Sequence, residues 1–276
     1  MKKIFLLAAV MVASLTVFAG RKTVICMGAF ESAQSVSADV QEKVKQNVQS
    51  GLSAVNHLQL IESADGLGAD YIITGNVLSY NVTRQVNDKG EVTYKTTMSY
   101  TLTSTDVKEG TTTTETFNYD GSGAFMSMKF GLSSSEAESR EEVYKFIAPD
   151  MKRFAYANYP LAGQIVEADY TLDKKGRLTE CYITLGSEDG VDTKTKFTVL
   201  LGKMVAGRTT RQKADVKLEV VEIVAGDLSR CKVSGKEADK VAAALEAYAS
   251  NPGTALPVTV NMLPPRDNAG WDQLFK

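Results

Sequence analysis

Few side chains in this sequence have the types and spacing that catalysis or metal binding requires. His57 is the only histidine, and a single imidazole cannot build a metal site or activate a nucleophile unless folding brings partners to it. We expect His57 to lie in a surface loop. Acidic residues surround Gly190 in the stretch 188–192, but they lack the alternating acids and the closing glutamate of a calcium loop. We therefore predict a tight turn there, and a protein with no catalytic residues, no metal and no cofactor.

The three cysteines, Cys26, Cys181 and Cys231, all lie in apolar, strand-like stretches. Cysteine in such a setting is usually a small buried hydrophobe, which is the interpretation that we favour. A disulfide between Cys181 and Cys231 is the alternative, because both fall in the second predicted domain and export would permit oxidation.

The methionine-rich, glycine-flanked stretch over residues 125–132 is the best candidate for a contact with another chain. Methionine and phenylalanine side chains adapt well to a partner surface, and the stretch could add to a sheet edge. The alternative is an ordinary edge strand or a flap over the core. A short basic stretch, residues 208–211, reads as a solvated loop. The predicted partner-binding residues are Phe125, Met126, Met128 and Phe130.

Composition and charge indicate a folded protein that does not bind nucleic acid. The chain has 276 residues, 43% hydrophobic and 23% charged, which is a globular profile. Lys and Arg number 31 against 33 Asp and Glu, for a net charge of −2. No basic excess is available to neutralise a phosphate backbone.

The amino terminus predicts export. Lys2 and Lys3 precede an apolar run, residues 4–18, which ends before Ala19. This order matches a signal peptide over residues 1–19, and the run of about 15 residues is shorter than the roughly 20 that a spanning helix needs. Cys26 lacks the small, apolar approach of a lipoprotein cysteine. We expect a periplasmic protein without an integral membrane segment after processing.

The sequence pattern over residues 22–159 predicts an α+β domain. An apolar strand over residues 22–30 precedes a helix with a valine stripe, and alternating strands follow as far as Tyr119. The stretch 135–138 fits a capping box, and Pro149 should kink or split the helix behind it. We predict a mixed sheet with two helices on one face.

Residues 160–263 have the sequence pattern of a second, strand-rich domain. Short apolar stretches separated by glycines predict a small SH3-like β-barrel. A helix over residues 236–249 and a last strand near residues 257–260 follow, and residues 264–276 form a polar tail. The five predicted barrel strands are residues 163–172, 177–185, 196–201, 216–224 and 229–233.

Three segments resemble known families. The stretch KTVICMGAF, which ends at Phe30, and the stretch GADYIITG over residues 68–75 resemble the domain shared by the curli secretion-channel (CsgG-like) family and the amino-terminal domain of TolB. The stretch LGSEDGV over residues 185–191 resembles a strand end in the C-terminal barrel of flagellar assembly protein T. The resemblance covers about residues 22–233, and its motifs shape turns rather than catalyse reactions.

The resemblance implies a role in assembly, because members of these families serve as exported or outer-membrane-associated assembly parts. We therefore expect a non-enzymatic periplasmic adaptor or assembly protein of the cell envelope, either free or associated with the outer membrane. Its partners would be envelope proteins or a second copy of itself. The alternative is a subunit of a curli-type outer-membrane secretion channel, and a hydrolase with an unrecognised site is the weakest hypothesis.

Overall fold

A computed structural model describes residues 22–62, 66–86, 88–119 and 133–264. They form two compact units. The first unit comprises residues 23–155, and the barrel unit comprises Lys22 with residues 156–264. No helix within these described ranges is long and apolar enough to cross a membrane.

A five-stranded sheet forms the centre of the first unit, in the order β2-β1-β3-β4-β5. Strand β1 runs parallel to β2 and β3, whereas β3, β4 and β5 are antiparallel neighbours. The predicted α+β class with a mixed sheet is confirmed. The strands are β1 (Thr23–Ser32), β2 (Leu58–Ile61), β3 (Tyr71–Val86), β4 (Val92–Asp106) and β5 (Thr112–Tyr119).

Three helices pack on one face of this sheet: α1 (Ala38–Ser53), α2 (Glu136–Tyr144) and α3 (Ile147–Asn158). The predicted valine stripe of α1 is buried, and the rings of Phe154 and Phe117 join α3 to β5 at a centroid distance of 6.1 Å. The predicted second helix is split, as Pro149 suggested, but the break precedes the proline. Pro149 is the third residue of α3, where its missing N–H leaves no helical hydrogen bond unmade.

The barrel unit is a closed barrel of six strands, in the order β10-β7-β6-β11-β8-β9. Its interior is apolar, and helix α4 (Ala238–Ser250) buries Ala238, Val241, Ala242 and Leu245. Closure depends on β11, which pairs with both β6 and β8. The strands are β6 (Ala162–Leu172), β7 (Leu178–Ile183), β8 (Lys196–Val205), β9 (Arg208–Ala225), β10 (Leu228–Gly235) and β11 (Thr259–Met262).

Candidate interaction surfaces

The predicted partner-binding residues Phe125, Met126, Met128 and Phe130 lie outside the described residues. The described residues on either side of them are both anchored to β4. Tyr119 is opposite Met98, and Ser133 forms an isolated bridge with Tyr94 through two backbone hydrogen bonds of 2.8 and 3.0 Å. Tyr119 and Ser133 therefore both pair with the same edge of β4.

Strand β5 is the terminal strand on that side of the sheet, and no described residue pairs with its outer edge. Its pairing with β4 runs from Thr112 to Tyr119 without a register shift. Residues 112–116 are all exposed, and Glu115 is the only charged residue in the strand. We call this outer side, residues 112–119, the β5 edge.

Hydroxyl side chains cover the face of β4 and β5 that points away from the helices. Residues alternate along β4, so that buried Met98, Tyr100 and Leu102 point to the helices and the residues between them point to the opposite face. Two cross-strand pairs are hydrogen-bonded: Thr103 Oγ1 lies 2.9 Å from Thr114 Oγ1, and Ser99 Oγ donates to Asn118 Oδ1 at 2.7 Å. This hydroxyl face comprises Thr97, Ser99, Thr101, Thr103, Thr105, Thr112, Thr114 and Thr116.

The hairpin of β8 and β9 extends beyond the barrel core as an arm. Residues 203–213 are exposed without exception, and the alternation of buried and exposed residues resumes only at Ala214. The turn is formed by Ala206 and Gly207, which both have positive φ, 49° and 76°, as a type I′ hairpin turn requires. We call residues 203–213 the basic arm. The prediction that residues 208–211 form a loop is wrong, because they belong to β9.

Charge on the basic arm has one sign only. It carries Lys203, Arg208, Arg211 and Lys213 and contains no acidic residue. None of these cations forms an ion pair with another described residue. Arg230 on β10 makes a useful contrast, because its guanidinium lies 2.9 Å from Glu222 and 3.4 Å from Glu180.

All three cysteines are buried and form no disulfide with one another, as the favoured interpretation predicted. Cys181 on β7 is directly opposite Cys231 on β10. Burial raises the pKa of the Cys231 thiol to about 12. Burial also raises the pKa of Cys181, and the neighbouring Cys231 adds to that shift. Such thiols are poor nucleophiles, because few thiolates form at neutral pH.

His57 is fully buried, so the prediction of a surface loop is wrong. It lies in the turn before β2, where its carbonyl accepts a hydrogen bond of 3.0 Å from the Thr23 N–H. This hydrogen bond joins the turn to the start of β1. No group of three metal-binding side chains occurs among the described residues.

The acidic stretch 188–192 forms a tight turn, as predicted. Residues Ser187–Asp189 make one 3₁₀ turn, which Gly190 ends with φ 81°. Asp189 Oδ2 accepts a 2.8 Å hydrogen bond from the Gly186 N–H. Burial raises the pKa of the Asp189 carboxyl, whose Oδ1 has no hydrogen-bond partner among the described residues.

The motifs that carried the family resemblance have packing roles. Phe30 is opposite Gly75, and a Cβ atom added to Gly75 would lie within 2.7 Å of three carbons of the Phe30 ring. A Cβ atom on Gly186 would collide with the carbonyl groups of Ala225 and Gly226. These glycines therefore permit close approach of neighbouring segments.

No family model matches the chain, and no curated protein matches it. Among solved structures, it is similar to the PelC dodecamer from Paraburkholderia phytofirmans, at 14% identity over 47% of this chain and 88% of that chain, with a TM-score of 0.27. It is similar to a minor lipoprotein from Acinetobacter baumannii at 16% identity over 50% and 94% of the two chains, with a TM-score of 0.25. It is similar to rare lipoprotein B from Shewanella oneidensis at 10% identity over 49% of this chain and 92% of that chain, with a TM-score of 0.26. Scores this low carry no argument about the role of this chain.

Proposed function

We propose that this protein is an exported, non-enzymatic adaptor or assembly protein of the cell envelope that acts in the periplasm through contacts with other proteins. The basic residues, apolar run and Ala19 of its amino terminus support export, because they have the order of a signal peptide. Its buried, weakly acidic thiols support a role other than thiol catalysis.

The β5 edge is the observation that carries this proposal. An exposed edge strand offers its backbone N–H and C=O groups to an added strand. Natural proteins usually protect such edges with charged side chains, proline or a bulge. Strand β5 has a single charged residue, Glu115, and neither a proline nor a bulge along its eight residues. We infer that the partner contributes an extended segment that adds beside β5. Phe125, Met126, Met128 and Phe130 remain predicted contacts of the same partner.

The proposal keeps the family relationship inferred from the sequence: a CsgG-like or TolB-type first domain followed by a barrel similar to that of flagellar assembly protein T. It also assigns the barrel to the SH3-like type. Support comes from the irregular pairing of the barrel strands, whose register shifts at several points, as strongly bent strands of small barrels do.

Substitution of the β5 edge tests the proposed function. Thr113→Lys/Thr114→Lys places two charges on exposed positions of the edge, where lysine opposes strand addition. The tagged mature protein would be crosslinked in its native envelope and recovered with its partners. We expect recovery of a specific envelope protein to fall about tenfold, which corresponds to about 1.4 kcal/mol of binding free energy.

Thr171→Lys/Ser234→Lys is the matched control, because it adds the same charge at exposed positions of the barrel unit. Circular dichroism would establish that both variants fold. Equal loss of the partner in the control, or unchanged recovery with the edge variant, would contradict the proposal. Recovery of a homo-oligomer that requires detergent would favour the secretion-channel alternative.

A further inference from the structure

The basic arm contributes nothing to the barrel core, since every residue from 203 to 213 is exposed. Its end is apolar: Met204 and Val205 directly precede the turn and are 54% and 48% exposed. We propose that the basic arm binds the surface of a membrane that contains anionic lipids and so holds the barrel unit at that surface. This membrane contact is independent of the protein contact at the β5 edge.

The order of residues along the arm matches the layers of a membrane surface. Val205 is opposite Arg208, next to the turn, and Lys203 and Arg211 follow farther back. At about 3.3 Å per residue, these two cations lie roughly 10–13 Å from the turn. When the apolar tip enters the headgroup boundary, long basic side chains can bend toward the phosphates while their stems remain in apolar surroundings.

The distribution of charge over both faces of the arm favours a lipid layer over a protein or nucleic acid. Cross-strand partners share a face, so Lys203 and Arg208 lie on one face and Arg211 and Lys213 on the other. A macromolecule that covered one face would leave half of the cations without a partner. A layer of anionic headgroups surrounds an inserted tip and attracts both faces.

The cations are also available for such a contact. Each lacks an ion pair within the described part of the chain, so binding breaks no existing charge pair. The arm carries four basic residues and no acidic one, in a chain whose net charge is −2. Charge would therefore orient the protein with the arm toward the lipid.

Vesicle co-sedimentation of the full mature protein tests the proposal. The probes are vesicles of equimolar phosphatidylglycerol and phosphatidylcholine, compared with vesicles of phosphatidylcholine alone. We expect binding to the anionic vesicles only, weakening as salt is added. Removal of all four cations in Lys203→Ser/Arg208→Ser/Arg211→Ser/Lys213→Ser should lower partitioning at least about a hundredfold. Met204→Ser/Val205→Ser, which keeps the charge, should lower it about tenfold.

The matched control removes four other exposed lysines of the barrel unit, in Lys174→Ser/Lys175→Ser/Lys217→Ser/Lys232→Ser. It changes the net charge equally and should retain binding within about threefold. Equal loss in this control, or failure of the unsubstituted protein to bind anionic vesicles, would overturn the proposal. Equal binding to phosphatidylcholine vesicles would do the same, as would binding of the arm to an acidic protein or nucleic acid in place of lipid.

Discussion

The contact between Phe30 and Gly75 predicts a stability effect that is confined to the first unit. In Gly75→Ala, the new Cβ atom would lie within 2.7 Å of three carbons of the Phe30 ring, which is itself 8% exposed. Such overpacking costs about 1–3 kcal/mol, offset by about 0.5–1 kcal/mol because alanine is less flexible than glycine in the unfolded chain. We expect a net loss of about 1–2 kcal/mol, a roughly tenfold increase in the unfolded population.

The buried cysteines allow each unit to be measured separately. Cys26 lies in β1 of the first unit, whereas Cys181 and Cys231 lie in the barrel. Under reducing conditions, the alkylation rate of each thiol along a urea gradient reports how often its unit opens. In Gly75→Ala, protection of Cys26 should fall about tenfold and protection of the barrel thiols should stay unchanged.

A double substitution tests the cause of this effect. Phe30→Ala alone should cost about 3–5 kcal/mol by leaving a cavity. The double variant Phe30→Ala/Gly75→Ala should lose less free energy of unfolding than the two single variants together, because without the Phe30 ring the new Cβ atom no longer clashes. Gly253→Ala is the control, since nothing lies within 4 Å of its added Cβ atom. Unchanged Cys26 protection in Gly75→Ala, or full additivity in the double variant, would refute the role assigned to this contact.

Three further predictions concern the thiols, Asp189 and Ser135. Burial raises the pKa of Cys231 from 9.0 to about 12, so alkylation of this thiol near pH 8 should be about a thousandfold slower in the folded protein than in urea. Pulse labelling read by mass spectrometry measures both rates, and rapid labelling of the folded protein would contradict the prediction. Burial raises the pKa of Asp189 above 3.8, so the folded barrel keeps this proton to a higher pH than the unfolded chain does. The free energy of unfolding of the barrel therefore falls as the pH rises from the unfolded-state pKa through the folded-state pKa of this carboxyl. Asp189→Asn keeps an acceptor for the Gly186 N–H and should reduce the loss of barrel-thiol protection as the pH rises above 3.8, whereas an unchanged pH profile would exclude this carboxyl as the cause. Ser135→Ala removes the oxygen that accepts a 3.2 Å hydrogen bond from the Glu138 N–H at the start of α2, and should lower the stability of the first unit by about 1 kcal/mol in the same Cys26 assay.

Periodic patterns predicted the first unit well, because each of its elements buries one side. The valine stripe of α1 and the alternation along β4 are visible without any tertiary information. The burial of His57 was not predictable in this way, since it depends on a turn that packs against a strand distant in sequence. Polar residues in turns are usually exposed, and only the tertiary fold reverses that expectation.

The basic arm was missed because Gly202, which directly precedes it, and Gly207, which lies at its turn, resemble chain breaks. In the sequence pattern, Gly202 and Gly207 separate three short stretches, yet β8 continues through Gly202. A Cβ atom at Gly202 would lie 2.6 Å from Leu256 Cβ, so this glycine serves packing at the base of the arm. Gly207 alone marks a turn. Sequence patterns cannot distinguish these two uses of glycine, because the difference depends on a neighbour about 50 residues away.

The length of the basic arm is difficult to explain by the stability of the barrel. Ordering each of its residues costs about 1–2 kcal/mol of backbone entropy, while a backbone hydrogen bond returns only about 0.5–1.5 kcal/mol. Every residue between 203 and 213 is exposed, so the arm adds little buried area, and Ala206 occupies a left-handed conformation with φ 49° that disfavours a residue with a Cβ atom. A hairpin that turned near Gly202 would keep the pairing that the core needs from Ala214 onward. The additional length must therefore serve a contact outside the barrel, and an anionic surface is the contact that its unpaired cations and apolar tip fit.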